Sequence, residues 1–174
     1  MPSIRLEDMP GYVERLGKAM REAAMRGLVL AGQRGVQTIV TQIIPSRSPQ
    51  PVDRGVYRAG WKSIQETDSI VSISNAEPHA VFIEYGVRAE NVKPGAAMVK
   101  ALTEWVIRKG FARDQAKATG IAWAIINKMK KRGIFNNRGG AGLRVLEELN
   151  QRHINNIIQE EVSREIAAAA NATR

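Results

Sequence analysis

The stretch PHAVFIEYG, residues 78 to 86, decides how the middle of this chain is read. It starts at a proline, stops at a glycine and sets Val81 and Ile83 in alternation. That pattern predicts a strand, or a short helix–strand hybrid, from His79 to Tyr85. Its one formal charge is Glu84, between Ile83 and Tyr85.

Immediately upstream, residues 56 to 65 carry Tyr57, Trp61 and Ile64, and Thr67-Asp68-Ser69 supplies a turn. Ile70-Val71-Ser72-Ile73-Ser74 is rich in β-branched residues, and a second turn follows at Asn75-Ala76-Glu77-Pro78. Together these predict a β-meander, a small antiparallel sheet over about residues 56 to 86. Helices are expected on both sides of it. Val13, Leu16, Met20, Ala23, Gly27 and Leu30, then Val36, Ile39 and Ile43, recur at helical spacing, so residues 12 to 43 read as one long helix. Gly17, Ala24, Gly27, Ala31 and Gly35 lie on or near that stripe. Each internal glycine costs roughly 1 kcal/mol relative to alanine. Two readings stand: another backbone approaches closely, or the helix is simply weak and kinked.

Residues 45 to 55, PSRSPQPVDRG, hold three prolines and read as a stiff connector. Beyond the sheet, Pro94 predicts a helix running to Lys109 and ending at Gly110. A second is expected from Arg113 to Arg132, stopped by Gly133. It sets Ala118, Ile121, Ala122, Ile125, Ile126 and Met129 on one side and Lys117, Lys128 and Lys131 opposite. Trp123 falls on the wet side, either as a contact for another subunit or packed across neighbouring structure. Residues 135 to 142 read as a glycine-rich loop, and a last helix as running from about Leu143 to Ala170. The expected class is α+β, a small antiparallel sheet packed against long helices. Residues 1–142 form the main domain and 143–174 a helical extension.

Of the 174 residues, 44% are hydrophobic, enough for a real core. There is no cysteine, which removes disulfides and thiolate metal sites and suits a reducing compartment. MPSIRLEDMP has no apolar core of a signal peptide, and no apolar run is long enough to span a membrane. The net charge of +9 points to polyanions or an acidic partner. It is concentrated between Trp105 and Arg144, with ten basic residues against one acid, Asp114. The stretch from Glu147 to Glu165 is rich in glutamate. Opposite faces of this kind can stack between copies.

No catalytic or cofactor site emerges from the sequence. His79 and His153 are the only histidines and neither has a metal ligand at helical or hairpin spacing. Asp53 and Glu84 are a candidate pair of carboxylates for acid–base work, one expected in a loop and the other in a strand. RGGAG lacks the Gly-Lys-Ser/Thr ending of a phosphate loop. Lys128, Lys130, Lys131 and Arg132 make a dense cationic helix end, suited to phosphates and equally to the helix dipole. No motif for reading a base sequence accompanies them.

Three blocks stand in order: PVDRGVYRAGW (51 to 61), PHAVFIEYGV (78 to 87) and IINKMKKRGIF (125 to 135). In that order and spacing the chain resembles the phage tail-component family of head–tail joining proteins, the tail-completion or neck proteins of lambda-like and contractile-tailed phages. The matching positions are Pro51, Val52, Asp53, Gly55 and Trp61, then Pro78, Ala80, Glu84, Tyr85 and Gly86, then Lys128, Met129, Gly133 and Ile134. Arg54, Ala59-Gly60 and Val87 depart from the family pattern, and the helix after Leu143 lies outside it. The resemblance covers roughly residues 12 to 135.

The resemblance implies a non-enzymatic, homo-oligomeric ring, six-fold or twelve-fold, in the virion neck. It would be made in the host cytoplasm, between the head connector and the tail terminator or tube proteins, around outgoing double-stranded DNA. The alternative is a non-specific double-stranded DNA-binding protein. Asp53, Gly55, Arg58, Trp61, Glu84, Tyr85, Gly86 and Trp123 are the expected interface or structural positions. Lys117, Lys128, Lys130, Lys131, Arg132 and Arg138 are the expected contacts to DNA or an acidic partner. Glu84 is expected to pair with Arg54, Arg58 or Arg88 within a subunit or across a seam, against the alternative of a glutamate exposed to water.

Overall fold

Alanine and glycine line the buried side of the first helix, and that determines what can lie against it. A computed structural model describes residues 9–47, 55–134 and 142–172. Asp53, Arg54 and Arg138 lie outside the described residues, as does most of the loop expected at 135–142. The chain divides into two compact units. One is drawn from Met1–Gln50, Arg58–Ala76 and Val145–Arg174, the other from Pro51–Tyr57 and Glu77–Arg144.

In the first unit, α1 (Met9–Thr38) buries Ala23, Gly27, Ala31, Gly32, Gly35 and Thr38. The helix then widens into a π turn, Ile39–Ile43, and closes with α2 (Ile44–Ser46). Pro45 supplies a reason. It has no N–H to donate, and its ring crowds the carbonyl four residues back. Ile39, Ile43 and Ile44 of this segment are fully buried.

The long partner of α1 is α8 (Ile154–Ala172), which follows α7 (Val145–Arg152). The segment expected as a C-terminal extension is thus the main packing partner of the N-terminal helix. Close approach, rather than a weak kinked helix, accounts for Gly27. A methyl there would stand 2.6 Å from the Val162 Cα and 3.1 Å from the Glu161 carbonyl oxygen. Backbone cannot swing aside as a side chain does, so the two helices must part. Overpacking costs about 1–3 kcal/mol, and alanine recovers about 1 kcal/mol of helix propensity. Gly27→Ala is expected to lose up to about 2 kcal/mol net in urea unfolding. A variant more stable than the parent would show that propensity, not packing, governs this position.

The hairpin of this unit pairs β1 (Trp61–Thr67) antiparallel with β2 (Ile70–Asn75). Trp61 faces Asn75, Ser63 faces Ile73 and Gln65 faces Val71, with a register shift before Thr67. Two strands alone are marginal in water. Here α1 covers one face: Gly32 lies against Ser63 and Val71, and Gly35 against Ile73. The sheet therefore has two strands, not three. Residues 56–59, expected to begin a strand, form the single turn α3 (Val56–Ala59).

The second unit contains α4 (Ala80–Tyr85), a 3-10 turn at Ala89–Asn91, α5 (Ala96–Arg108) and α6 (Gln115–Arg132). The segment expected as the last strand is therefore the helix α4. Its buried residues are Ala80, Ile83 and Glu84, at i, i+3 and i+4, the spacing of one helical face. A strand would set Val81 and Ile83 on one face, but Val81 is 52% exposed and Ile83 is buried. His79 is the exposed N-cap of α4, not a strand residue.

Helices α5 and α6 pack through Val106, Ala112 and Ala118, with Trp105, Ile121 and Ile125 around them. Asp114 caps α6, its carboxylate accepting from the Ala116 and Lys117 N–H groups at 2.9 and 3.0 Å. The fold is α+β: a small antiparallel hairpin with long helices.

Candidate functional site

A six-residue helix is too short to stand alone. Three sets of contacts hold α4, and each comes from a different stretch of the chain. Glu84 is only 6% exposed, and its Oε1 accepts the Tyr57 hydroxyl at 2.8 Å. Tyr57 is itself buried. A buried carboxylate is tolerable only when hydrogen-bonded, so this phenol is part of what lets Glu84 turn inward. The solvated-glutamate reading does not fit. Within the subunit, Arg58 and Arg88 are not partners of Glu84, since neither arginine forms an ion pair among the described residues.

The C-terminal carbonyls of α4 are satisfied next. The Leu143 N–H donates to the Ile83 carbonyl at 2.8 Å, and the Arg144 N–H to the Glu84 carbonyl at 3.1 Å. Gly142 lies directly on these carbonyls, where a Cβ has no room.

The third contact is a two-residue bridge. Val87 and Ile134 exchange both backbone hydrogen bonds, at 2.9 and 2.8 Å. Each follows a glycine in the same unusual conformation: Gly86 at φ 69°, ψ 177° and Gly133 at φ 78°, ψ −179°. That region is essentially restricted to glycine. The two turns bring the exits of α4 and α6 alongside each other.

Residues from all three sequence blocks therefore meet in this unit. Tyr57 comes from the first, Glu84 and Gly86 from the second, Gly133 and Ile134 from the third. Tyr57 is absent from the expected site residues. The available signal is a hydroxyl-bearing aromatic inside the first block, and nothing in the sequence ties it to Glu84.

With its polar residue inside, α4 turns its bulk outward. Phe82 is 54% and Tyr85 66% exposed, and Val81 lies beside Tyr85 on the same face. The usual arrangement is inverted: a carboxyl group is buried and aromatics face solvent. Isolated exposed apolar residues are ordinary, but three on one face of two turns form a patch.

The other expected positions are dispersed. Gly55 precedes α3 with φ 76°, Arg58 is half-buried on α3, and Trp61 is buried at the start of β1 in the first unit. Trp123 is 44% exposed on α6, on the wet side as expected. Lys117, Lys128, Lys130, Lys131 and Arg132 lie on the same helix, directed largely to solvent.

The expected acidic face is not open. Arg34 Nη1 contacts Glu160 at 2.6 Å and Glu161 at 2.9 Å, and Arg26 reaches Glu165 at 3.4 Å. Arg47 pairs with Glu148, and Arg164 with Glu161. The hydrogen bond to Glu160, followed by that to Glu161, holds the Arg34 guanidinium above its ordinary range.

No group of three or more potential metal-binding side chains occurs among the described residues, and none of their helices is long and apolar enough to cross a membrane. No known protein family, curated protein or solved structure matches this chain.

Proposed function

We propose that this chain is a structural subunit of a homo-oligomeric ring at a phage head–tail junction, with the outward face of α4 as a subunit contact. The observation that carries this reading is the inversion of α4. A helix held from behind by Tyr57, Leu143, Arg144 and the Val87–Ile134 bridge presents Val81, Phe82 and Tyr85 to solvent. A rigidly backed aromatic patch is what a recurring contact between copies needs. The ordered resemblance of the three blocks supports the neck location. A heterologous contact repeated until rotation closes gives a ring, here six-fold or twelve-fold. Its neighbours would be the head connector above and the tail terminator or tube below, with double-stranded DNA in the lumen. The reaction chemistry in this reading is none.

Replacing Phe82 and Tyr85 together by serine tests the contact. Both side chains project from the subunit, so the unfolding midpoint is expected to stay within the roughly ±0.5 kcal/mol typical of surface substitutions. Incorporation into particles, followed by complementation of a phage lacking the chain, is expected to fall at least tenfold. Normal incorporation of a folded double variant rejects α4 as the seam.

The alternative, a non-specific DNA-binding protein acting alone, draws on the exposed cations of α6. It differs in requiring no assembly. A variant that binds duplex fully as a monomer and never enters particles would favour it.

A further inference from the structure

Helix α6 runs for 18 residues without an acidic side chain, and carries Lys117, Lys128, Lys130, Lys131 and Arg132. None of the five forms an ion pair among the described residues. Cations in a last turn do complement the helix dipole, but that effect fades within one turn. Lys117 lies three turns earlier on the same side as Lys128. Lys117 is therefore not explained by the helix terminus that the cluster from Lys128 to Arg132 occupies.

The spacing also says what kind of anion fits. Lys117 and Lys128 are separated by about 16 Å along the axis. One strand of duplex places a phosphate roughly every 3.4 Å. The two cationic points therefore stand about five phosphate intervals apart and overreach a single small anion. A second copy of this chain is a poor occupant, because its densest acidic segment is engaged by Arg26, Arg34, Arg47 and Arg164. A membrane surface is also a poor one. The outer side of α6 carries Ala116, Gly120, Ala124 and Asn127 beside the single Trp123, with no apolar stripe to insert.

We infer that the outer face of α6 is a sequence-independent docking face for the phosphate backbone of duplex DNA. Lys117, Lys128, Lys131 and Arg132 act as phosphate contacts on it, and Lys130 flanks them from the side of Trp123. The choice of DNA as the polyanion rests on the head–tail reading above, whereas the requirement for an extended polyanion does not. Such a face has no need of base-edge contacts, in keeping with the absence of any base-reading motif.

The test uses the full chain and a random-sequence duplex of about 30 base pairs, titrated from 50 to 200 mM salt. Each phosphate contact contributes about 0.9 to the slope of log K against log salt. The variant Lys128→Gln/Lys130→Gln/Lys131→Gln/Arg132→Gln is expected to flatten the slope by about two to four and weaken binding at least ~10-fold at the lower salt. Changing the three lysines to arginine is expected to restore both, which separates charge from loss of fold. An unchanged slope in the folded glutamine variant overturns the inference. So does binding to vesicles containing phosphatidylserine with none to duplex. The parent's assembly in particles is scored alongside. A ring with an unaltered slope removes this inference and leaves the ring, whereas an altered slope without a ring does the reverse.

Discussion

Gly86→Val is expected to be among the most damaging single changes in the second unit. At φ 69° and ψ 177°, a side chain at this position is strained, by about 1–3 kcal/mol. Its Cβ would also stand 3.1 Å from the Ile134 carbonyl oxygen and 3.2 Å from the Gly142 nitrogen, both backbone atoms. Crowding against unyielding backbone adds a further cost of roughly 1–3 kcal/mol. The sum, roughly 2–6 kcal/mol, is comparable with the whole stability of a small domain. The first observable loss is local: amide exchange at Val87 and Ile134 accelerates, because these two N–H groups make the bridge that Gly86 permits. Gly133→Val, in the matching conformation on the other side of the bridge, is expected to produce the same pattern. If Gly86→Val leaves the exchange of both amides unchanged, the bridge does not depend on glycine and this description of the junction is wrong.

The second large effect is expected at Tyr57. Tyr57→Phe keeps the buried ring and removes only the hydroxyl that donates to Glu84. A hydrogen bond to a charged group contributes about 1.5–3 kcal/mol, and its loss takes one donor from a buried carboxylate. The variant is expected to lose that amount in urea unfolding followed by the fluorescence of Trp61, Trp105 and Trp123. Glu84→Gln retains an acceptor and removes the charge, so its cost is expected to be smaller. In a double-mutant cycle the two changes are expected to be non-additive. Additive effects, or a Tyr57→Phe cost below about 0.5 kcal/mol, would mean that the phenol does not hold the carboxylate.

Both sites separate what is local in the sequence from what is not. Local signals are legible. Asp114 and Gly133 bound α6 within two residues of the expected span, and Thr67-Asp68-Ser69 marks the hairpin turn. The small residues of α1 raise the question of a close backbone approach, and Gly27 against Val162 answers it. Residues 79–85 are where a local reading fails. Val81, Phe82 and Ile83 have high β-propensity, and large apolar side chains ordinarily mark the buried face. The actual buried set is Ala80, Ile83 and Glu84. A glutamate enters that set with the help of Tyr57, over twenty residues earlier, which supplies a hydrogen bond inside the unit. No periodicity argument contains that information. The glutamate-rich C-terminal stretch misleads for a related reason. Its charges are met by arginines of α1, more than a hundred residues away in sequence.

The central claim is that the outward aromatic face of α4 joins copies of this chain into a closed collar at a phage neck. An image reconstruction of purified particles carrying the chain tests it most directly. The account predicts six or twelve copies around the DNA axis, with Phe82 and Tyr85 covered by the adjacent copy. Particles that lack this chain at the head–tail junction, or a collar in which both aromatics face solvent, would contradict it.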